Sequence, residues 1–479
     1  MPQEQAASRV ISVGPMPPEK LAYALARYSR SPDSIRESIE WVRNHDSSKF
    51  LESFYFQYGH ASIADLGHVA LSFEGVSEIA AIEIEDEQLW DGQARSSRYQ
   101  DFSRSGFVTP AVLDGALVEI YQTAAKRLLE AYQEIHGRMV EALSTKLPRP
   151  ESMKPDAYKR NIAARAFDIA RYVLFLGIPT GVGQVTSIRT LEKQIRRLKS
   201  SEYEEVRSVA AEAARSCAVP PHCPWRTDVP EEPLAPTLAK YVDPDPYPIE
   251  AKADLTQWVS QNLPAASSEV PPSVVLTKTV EPLVDIAATL LYAVTDRPFH
   301  ELHELVSGWS RARQAEVLDV ALKARSRRDE LLREFRGGPY AFDMLVDIGA
   351  YRDMHRHRRC HQTRQVFTWR HGFAVPDGVR EAGLESVYRS ALQDAQSAAS
   401  KLPGVSSHYL LPFAAKGRFL FKMDFAEAEY ISKLRSGVKG HFSYRDIAWR
   451  MKTELDRVEP ELGRLIEATP PWVEDPLVR

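Results

Sequence analysis

Apolar residues recur at three- and four-residue spacing over most of the chain, the period of a helix with one buried stripe. The pattern is clearest over residues 114–143, where Leu117, Ile120, Tyr121, Ala124, Leu128, Leu129 and Tyr132 share a face. It returns over 201–214, 301–335, 384–402 and 443–466, and Ser201 followed by Glu204 predicts a capping box at the head of the first of these. Two short segments, 69–73 and 340–346, are apolar with β-branched or aromatic content and predict strands, each running through a turn into a helix. Between 219 and 272 the texture becomes Pro-rich (VPPHCPW, VPEEPLAP, DPDPYP, PAASSEVPP), and proline lacks the donor a helix needs. This stretch predicts a linker, with a short helix at 251–263.

The linker divides the chain into halves of similar size, and the halves follow the same order. Residues 73–90 (FEGVSEIAAIEIEDEQLW) match 346–363 (VDIGAYRDMHRHRRCHQT) as strand end, small-residue turn and helix. Later, ARYVLFLGIP followed by IRRLKSSEYEEVR parallels SHYLLPF followed by SKLRSGVKGHFSYR. The repetition predicts a diverged duplication. The expected architecture is helix-rich α+β: a domain at 1–218, a linker at 219–272 and a second domain at 273–479.

At 479 residues and 54.0 kDa the chain has room for large cores, and 44% hydrophobic with 26% charged residues is an ordinary globular composition. Net charge is −4, so no global field holds nucleic acid or an anionic membrane, and any anion site must be local. Cys217, Cys223 and Cys360 cannot form a disulfide framework, which predicts a reducing, cytoplasmic setting. The start of the chain lacks a signal-peptide layout, and the most apolar long stretch, 274–294, is interrupted by Lys278, Glu281 and Asp285, so no membrane span is expected.

The local anion site stands out at 351–373, YRDMHRHRRCHQTRQVFTWRHGF. Arg352, Arg356, Arg358, Arg359, Arg364 and Arg370 occur there with His355, His357, His361 and His371, and Asp353 is the only carboxylate. A solvated basic face is the plain interpretation. The preceding strand and the breaks at Met354, Val366, Phe367 and Trp369 instead turn some guanidinium groups into a site, where their planar fork suits phosphate. His355, His357 and His361 have metal-like spacing, but the surrounding guanidinium groups would repel a divalent cation, and no metal is expected. Basic residues mixed with aromatics also suit nucleic acid; the acidic chain as a whole favours a discrete phosphorylated ligand. Cys360 is either a thiol activated by cationic neighbours or an ordinary helix cysteine. In the N-terminal half, Tyr58-Gly59-His60-Ala61-Ser62 precedes Asp65 and His68, and Arg95-Ser96-Ser97-Arg98-Tyr99 follows the helix. Alone, His60 is a helix-start histidine and Arg98 a surface ion pair.

Together these residues resemble the flavin-dependent thymidylate synthases (ThyX), whose pattern is Gly-His-x-Ser, a strand and helix, Arg-His-Arg, then Ser-x-Arg-Tyr. Gly59, His60 and Ser62 match the first motif and Ser96, Arg98 and Tyr99 the last, but Asp86, Glu87 and Gln88 stand at the central one. The C-terminal half does the reverse: Arg356, His357 and Arg358 match, while Val366, Thr368 and Trp369 replace the last motif and the first is not recognisable. Of two downstream arginines, the first is Arg171 in one half and His408 in the other. The second is Arg197, after a one-residue shift and with Arg196 as rival, and Arg435.

The resemblance implies two tandem ThyX-like domains, with sites shared between halves because the family assembles its sites where subunits of a homotetramer meet. Two chains would then form a homodimer mimicking that tetramer. It implies reductive methylation of dUMP at C5, with methylenetetrahydrofolate and NADPH as co-substrates and FAD as cofactor. Ser96, Arg98, Arg171, Arg197 and Arg435 would bind the nucleotide, and Arg98, Arg197 and Arg435 would also polarise it. His60, Ser62, Arg356, His357 and Arg358 would hold the flavin. The departures leave open a flavin enzyme for another pyrimidine nucleotide, or a silent nucleotide-binding protein.

Overall fold

The computed structural model describes the chain outside residues 1–10, 12, 14–15, 32–33, 47, 53–60, 99, 103–104, 223–231, 238–241, 245–252, 254–271, 279–280, 293–298, 324, 326–330, 332–334, 336–339, 476 and 478–479. Its elements in the N-terminal half are α1 (Pro18–Tyr28), α2 (Ile35–Arg43), α3 (Ser48–Leu51), β1 (His68–Ser77), α4 (Glu78–Glu85), β2 (Asp91–Ala94), α5 (Gly115–Lys146), α6 (Pro155–Ala170), β3 (Pro179–Ser187), α7 (Ile188–Lys199) and α8 (Glu204–Cys217). The C-terminal half adds β4 (Val274–Lys278), α9 (Pro282–Tyr292), α10 (Phe299–Ser307), α11 (Arg311–Leu322), β5 (Tyr340–Asp347), α12 (Ile348–Met354) and β6 (His361–Arg364). It ends with α13 (Asp377–Glu381), α14 (Glu385–Ala399), β7 (Lys416–Met423), α15 (Phe425–Arg435), α16 (Phe442–Val458) and α17 (Pro460–Gly463). The chain is helix-rich α+β, as its periodicity implies.

Two compact units arise. The first gathers Met1–Val76, Glu83–Arg95 and Thr180–Ala265; the second gathers Ser77–Ile82, Ser96–Pro179 and Ala266–Arg479, so it draws on both halves of the sequence. The first unit carries a three-stranded sheet in the order β1-β3-β2. β3 is its centre, paired antiparallel to β2 from Asp91↔Val185 to Ala94↔Val182. Its glycines hid it from a propensity reading; at Gly181 an added Cβ would sit 3.1 Å from Arg95 Nε and 3.2 Å from Phe73 O, a tight fit that glycine relieves. Part of the Pro-rich segment packs here, with Ala235 N–H donating to Cys217 O and Thr237 N–H to Glu19 Oε1. The helix expected at 251–263 lies outside the described residues except for Ala253.

The second unit carries a four-stranded sheet in the order β4-β5-β7-β6. β5, β7 and β6 reproduce the order of β1, β3 and β2, and β4 has no counterpart among the described residues of the first sheet. Helix boundaries follow local chemistry. α10 and α11 replace one long helix because Ser310 caps the second, its hydroxyl accepting from Arg313 N–H. α16 stops at Val458 before Pro460. The capping box at Ser201 does not form: α8 starts at Glu204, and Ser201 Oγ accepts from Tyr203 N–H instead.

Capping contacts fix how the copies correspond. Ser77 Oγ accepts from Ala80 N–H as Asp347 Oδ1 accepts from Ala350 N–H. Ser187 Oγ accepts from Thr190 N–H as Asp424 Oδ1 accepts from Glu427 N–H. The match of 73–90 with 346–363 is therefore three residues out of register, whereas the equivalence of Asp86, Glu87 and Gln88 with Arg356, His357 and Arg358 agrees with these caps.

Within the second unit, segments 172–177 and 409–414 meet antiparallel through a bridge of Phe175 with Pro412. Leu176 N–H donates to Leu411 O (2.9 Å) while Phe413 N–H donates to Leu174 O (2.7 Å); Gly177 N–H donates to Tyr409 O (2.8 Å) while Ala414 N–H donates to Tyr172 O (3.0 Å). Each bond has its mirror partner, the signature of an isologous contact between two like chains. The flanking helices agree: Tyr121 on α5 donates its hydroxyl to Val108 O, and Tyr388 on α14 to Ala374 O, both at 2.6 Å.

Candidate functional site

The second unit concentrates charged side chains from both halves. Asp168, in the last turn of α6, is buried and holds Arg98 by two bonds, Nε to Oδ1 at 2.7 Å and Nη2 to Oδ2 at 3.3 Å. Arg98 Nη1 also donates to the Tyr444 hydroxyl (2.9 Å) and Nη2 to Lys439 O (3.2 Å), so every arm of this guanidinium is occupied. Ser96 shapes the loop, its hydroxyl accepting from Arg98 N–H. His441 secures Asp168 from behind: its Nδ1 accepts from Ser443 N–H at the head of α16, so Nε2 carries the proton donated to Asp168 O. Burial, then Arg171 and Arg98, hold the His441 pKa well below 6.5, which keeps the ring neutral.

Arg171, 1% exposed, donates from both Nη groups to Asp353 Oδ2 (3.3 and 3.2 Å) and from Nη2 to Gly349 O. Arg352 pairs with buried Glu78 at 2.8 Å, donates to Ser97 Oγ and lies over the Phe413 ring. Burial alone would raise the Asp353 carboxyl, but Arg171, Arg98, Arg435 and Arg352 outweigh it and hold it below the usual carboxylate range. The cluster thus sets four guanidinium groups against three carboxylates, those of Asp168, Asp353 and Glu78.

Arg435 is the member with no carboxylate in direct contact among the described residues. At the end of α15 its Nε donates to His357 Nε2 at 2.7 Å, and its guanidinium lies 5.5 Å from the Tyr444 ring centroid. His357 is buried and its pKa is lowered, chiefly by burial, so the ring is neutral and removes no positive charge from Arg435. Among the described residues no acceptor takes either Nη group of Arg435. Half-buried, with two adjacent donors unshared, it is the cluster's receptor for an oxyanion or a polarised carbonyl.

The other expected residues are placed as follows. Arg356 is exposed and Arg358 half-buried; Arg356 makes no hydrogen bond or ion pair among the described residues. His355 turns to Tyr351 and Gln362, away from the outward face of β6 where His361 is exposed, and no metal-sized group of His, Cys, Asp or Glu occurs among the described residues. Cys360 is buried and donates to His357 O; burial pushes its thiol up to about 12, so activation by cationic neighbours does not occur. Ser62 is exposed in the first unit, and His60 and Tyr99 lie outside the described residues. Arg197 also belongs to the first unit: its Nε donates to Glu87 Oε1 (2.9 Å) and its Nη1 lies 3.6 Å from Glu83. It takes this pairing rather than Arg196. Sequence reasoning missed Asp168, Glu427, His441 and Tyr444, and named Arg352 only as one of the six arginines of the basic run. The one available signal was Asp353, a lone carboxylate in a basic run.

Residues 11–222 and 276–461 match the family described as thymidylate synthase complementing protein. A UPF0159 protein of Chlamydia muridarum is 24% identical over 84% of this chain and 77% of its own. Another, of Thermoplasma acidophilum, is 24% identical over 92% of this chain and 94% of its own. A crystal structure of thymidylate synthase X from Helicobacter pylori with FAD and dUMP is 15% identical with a TM-score of 0.31, covering 41% of this chain and 98% of that one. No helix among the described residues is long and apolar enough to cross a membrane.

Proposed function

Because the chain belongs to the thymidylate synthase complementing protein family, we propose that it is an FAD-dependent thymidylate synthase-like enzyme, methylating dUMP reductively at C5 with methylenetetrahydrofolate and NADPH. The observation that carries this reading is the meeting of Arg98 and Arg171 from one half with Arg352 and Arg435 from the other around Asp353. Each half lacks what the other supplies. Arg435 binds the anionic or carbonyl oxygen of the nucleotide through its free Nη groups, while Arg98 and Arg171, anchored by Asp168 and Asp353, supply fixed positive potential at close range. Ser96 sets the Arg98 loop. Arg197, neutralised by Glu83 and Glu87, is assigned no part in that site.

The residues present fit a flavin in part. Arg356 offers an exposed guanidinium, unshared among the described residues, with Arg358 beside it, to an anionic cofactor. His357 faces inward and serves Arg435 instead. When bound, FAD supplies hydride transfer from NADPH to the one-carbon unit on the pyrimidine. The copies at 1–218 and 273–479 are the duplicated domains, and the working species is a homodimer, expected as such in gel filtration.

The test is the visible spectrum of the purified protein with and without dUMP and NADPH. Flavin absorbance that NADPH bleaches faster with dUMP supports the synthase, and a protein unable to take up FAD overturns it. One alternative has specific support: Asp168 and Asp353 occupy Arg98 and Arg171 and lower the capacity for a phosphate dianion. A flavoprotein indifferent to dUMP would then act on another pyrimidine nucleotide.

A further inference from the structure

The structure assigns to Glu427 a positioning role: through the ring of His357 it fixes Arg435 as a cation with no carboxylate in contact, and this rests on reading the arginine cluster as an anion site. The hydrogen bonds run in one direction only. Arginine keeps its protons, so His357 Nε2, 2.7 Å from Arg435 Nε, must offer its lone pair. The ring proton therefore sits on Nδ1, which faces Glu427 Oε1 at 3.4 Å. Glu427 is 4% exposed in the first turn of α15, with its N–H tied to Asp424 Oδ1, and Arg435 ends the same helix. The helix thus carries both ends of the relay. The ring of Tyr430, 5.8 Å from that of His357, closes the side.

The other copy shows what the arrangement avoids. There Thr190 stands where Glu427 does, Glu87 where His357 does, and Arg197 bonds the carboxylate directly at 2.9 Å. By the same caps Arg435 lies opposite Leu198 and Arg197 opposite Leu434, so the two arginines of this row are one residue out of register, yet each reaches Glu87 or its counterpart His357. A carboxylate in contact cancels the guanidinium, whereas one separated by a neutral ring orients it and leaves its charge to a ligand, because Coulomb attraction falls with distance.

The experiment uses the full chain with inorganic phosphate as probe, measured by calorimetry, and the ¹⁵N shifts of His357 as a report of tautomer. The double variant His357→Glu/Glu427→Thr reorders the row without changing its charge and is expected to weaken phosphate binding by about tenfold, in the range of one hydrogen bond to a charged group. Glu427→Ala is expected to release the Nδ1–H tautomer and weaken binding by about fivefold, and Glu427→Gln, which keeps an acceptor in place, to stay within about twofold. Unchanged His357 shifts in Glu427→Ala, with unchanged phosphate affinity, would overturn the assignment. Should the wild-type chain bind no phosphate, the anion-site reading fails by itself, and the His357 shifts still decide whether Glu427 orients the ring.

Discussion

Arg197 and Arg435 stand in the last turn of the matching helix of the two copies, one residue out of register, and both use Nε to grasp the residue at the centre of the basic motif or its replacement. In the first copy that residue is Glu87 and the arginine is neutralised in place. In the second it is His357, neutral and buried, and the arginine remains a cation with donors to offer. The hydrogen bond survives in both although the arginine differs by one residue in register, so that contact is insensitive to function. The location of the carboxylate decides. An arginine retained in a motif is therefore no sign of a working site until its partner is known.

The sharpest way to break the comparison is at Asp168. The equivalent positions in the second copy, Val405 and Thr368, carry no acid and no arginine, so the Arg98 pair exists once. Asp168→Ala strands a mostly buried guanidinium and is expected to destabilise the chain by about 3–5 kcal/mol in urea denaturation. A loss under about 1 kcal/mol would show that Tyr444 and the Lys439 carbonyl suffice. Next comes Arg435→Ala, expected to reduce dUMP or phosphate affinity about 30- to 100-fold by calorimetry, against less than about twofold for Arg197→Ala. Equal losses would mean that the copies have not diverged in this respect.

A smaller effect distinguishes them by pH. His357 and His441 are held neutral in the second copy, their pKa lowered by burial, while Glu87 and Tyr203 stand at corresponding places in the first. A histidine whose folded pKa is depressed takes up its proton first in the unfolded chain. Its stabilisation is full above about pH 6.5 and is lost as pH falls below that value, by up to about 1.4 kcal/mol per pH unit for each ring. Thermal melts from pH 7.5 to 5.5 should show this decline, and His441→Asn, which keeps a helix cap, should shallow it. The smallest effect is Glu87→Gln: its pair with Arg197 is partly exposed, and the expected loss is about 1 kcal/mol or less in the melting curve.

Much of this was legible in the chain. The strands at 69–73 and 340–346, the long α5 and the duplication all carry period or order that survives divergence. The sheet centre β3 did not show, because its glycines erase the strand signal, and β2 is too short and polar to have one. At the site, the arginines were readable because their motif spacing is fixed by short local turns. Their partners were not: Asp168, Tyr444 and Glu427 reach the cluster from distant helices. The guess that Ser201 caps a helix failed for a related reason, since the local pattern fits and a neighbouring residue takes the bond.

The symmetric seam at Phe175 and Pro412 has an evolutionary side. Where two identical chains meet on such an axis, every substitution is made twice, and acid placed beside one arginine is placed beside its mate. Joining the copies in one polypeptide keeps the self-matching backbone contact and releases the side chains around it from that obligation. One lobe can drift toward scaffold while the other is held to chemistry, and a gene that codes both can test changes in a single site at a time.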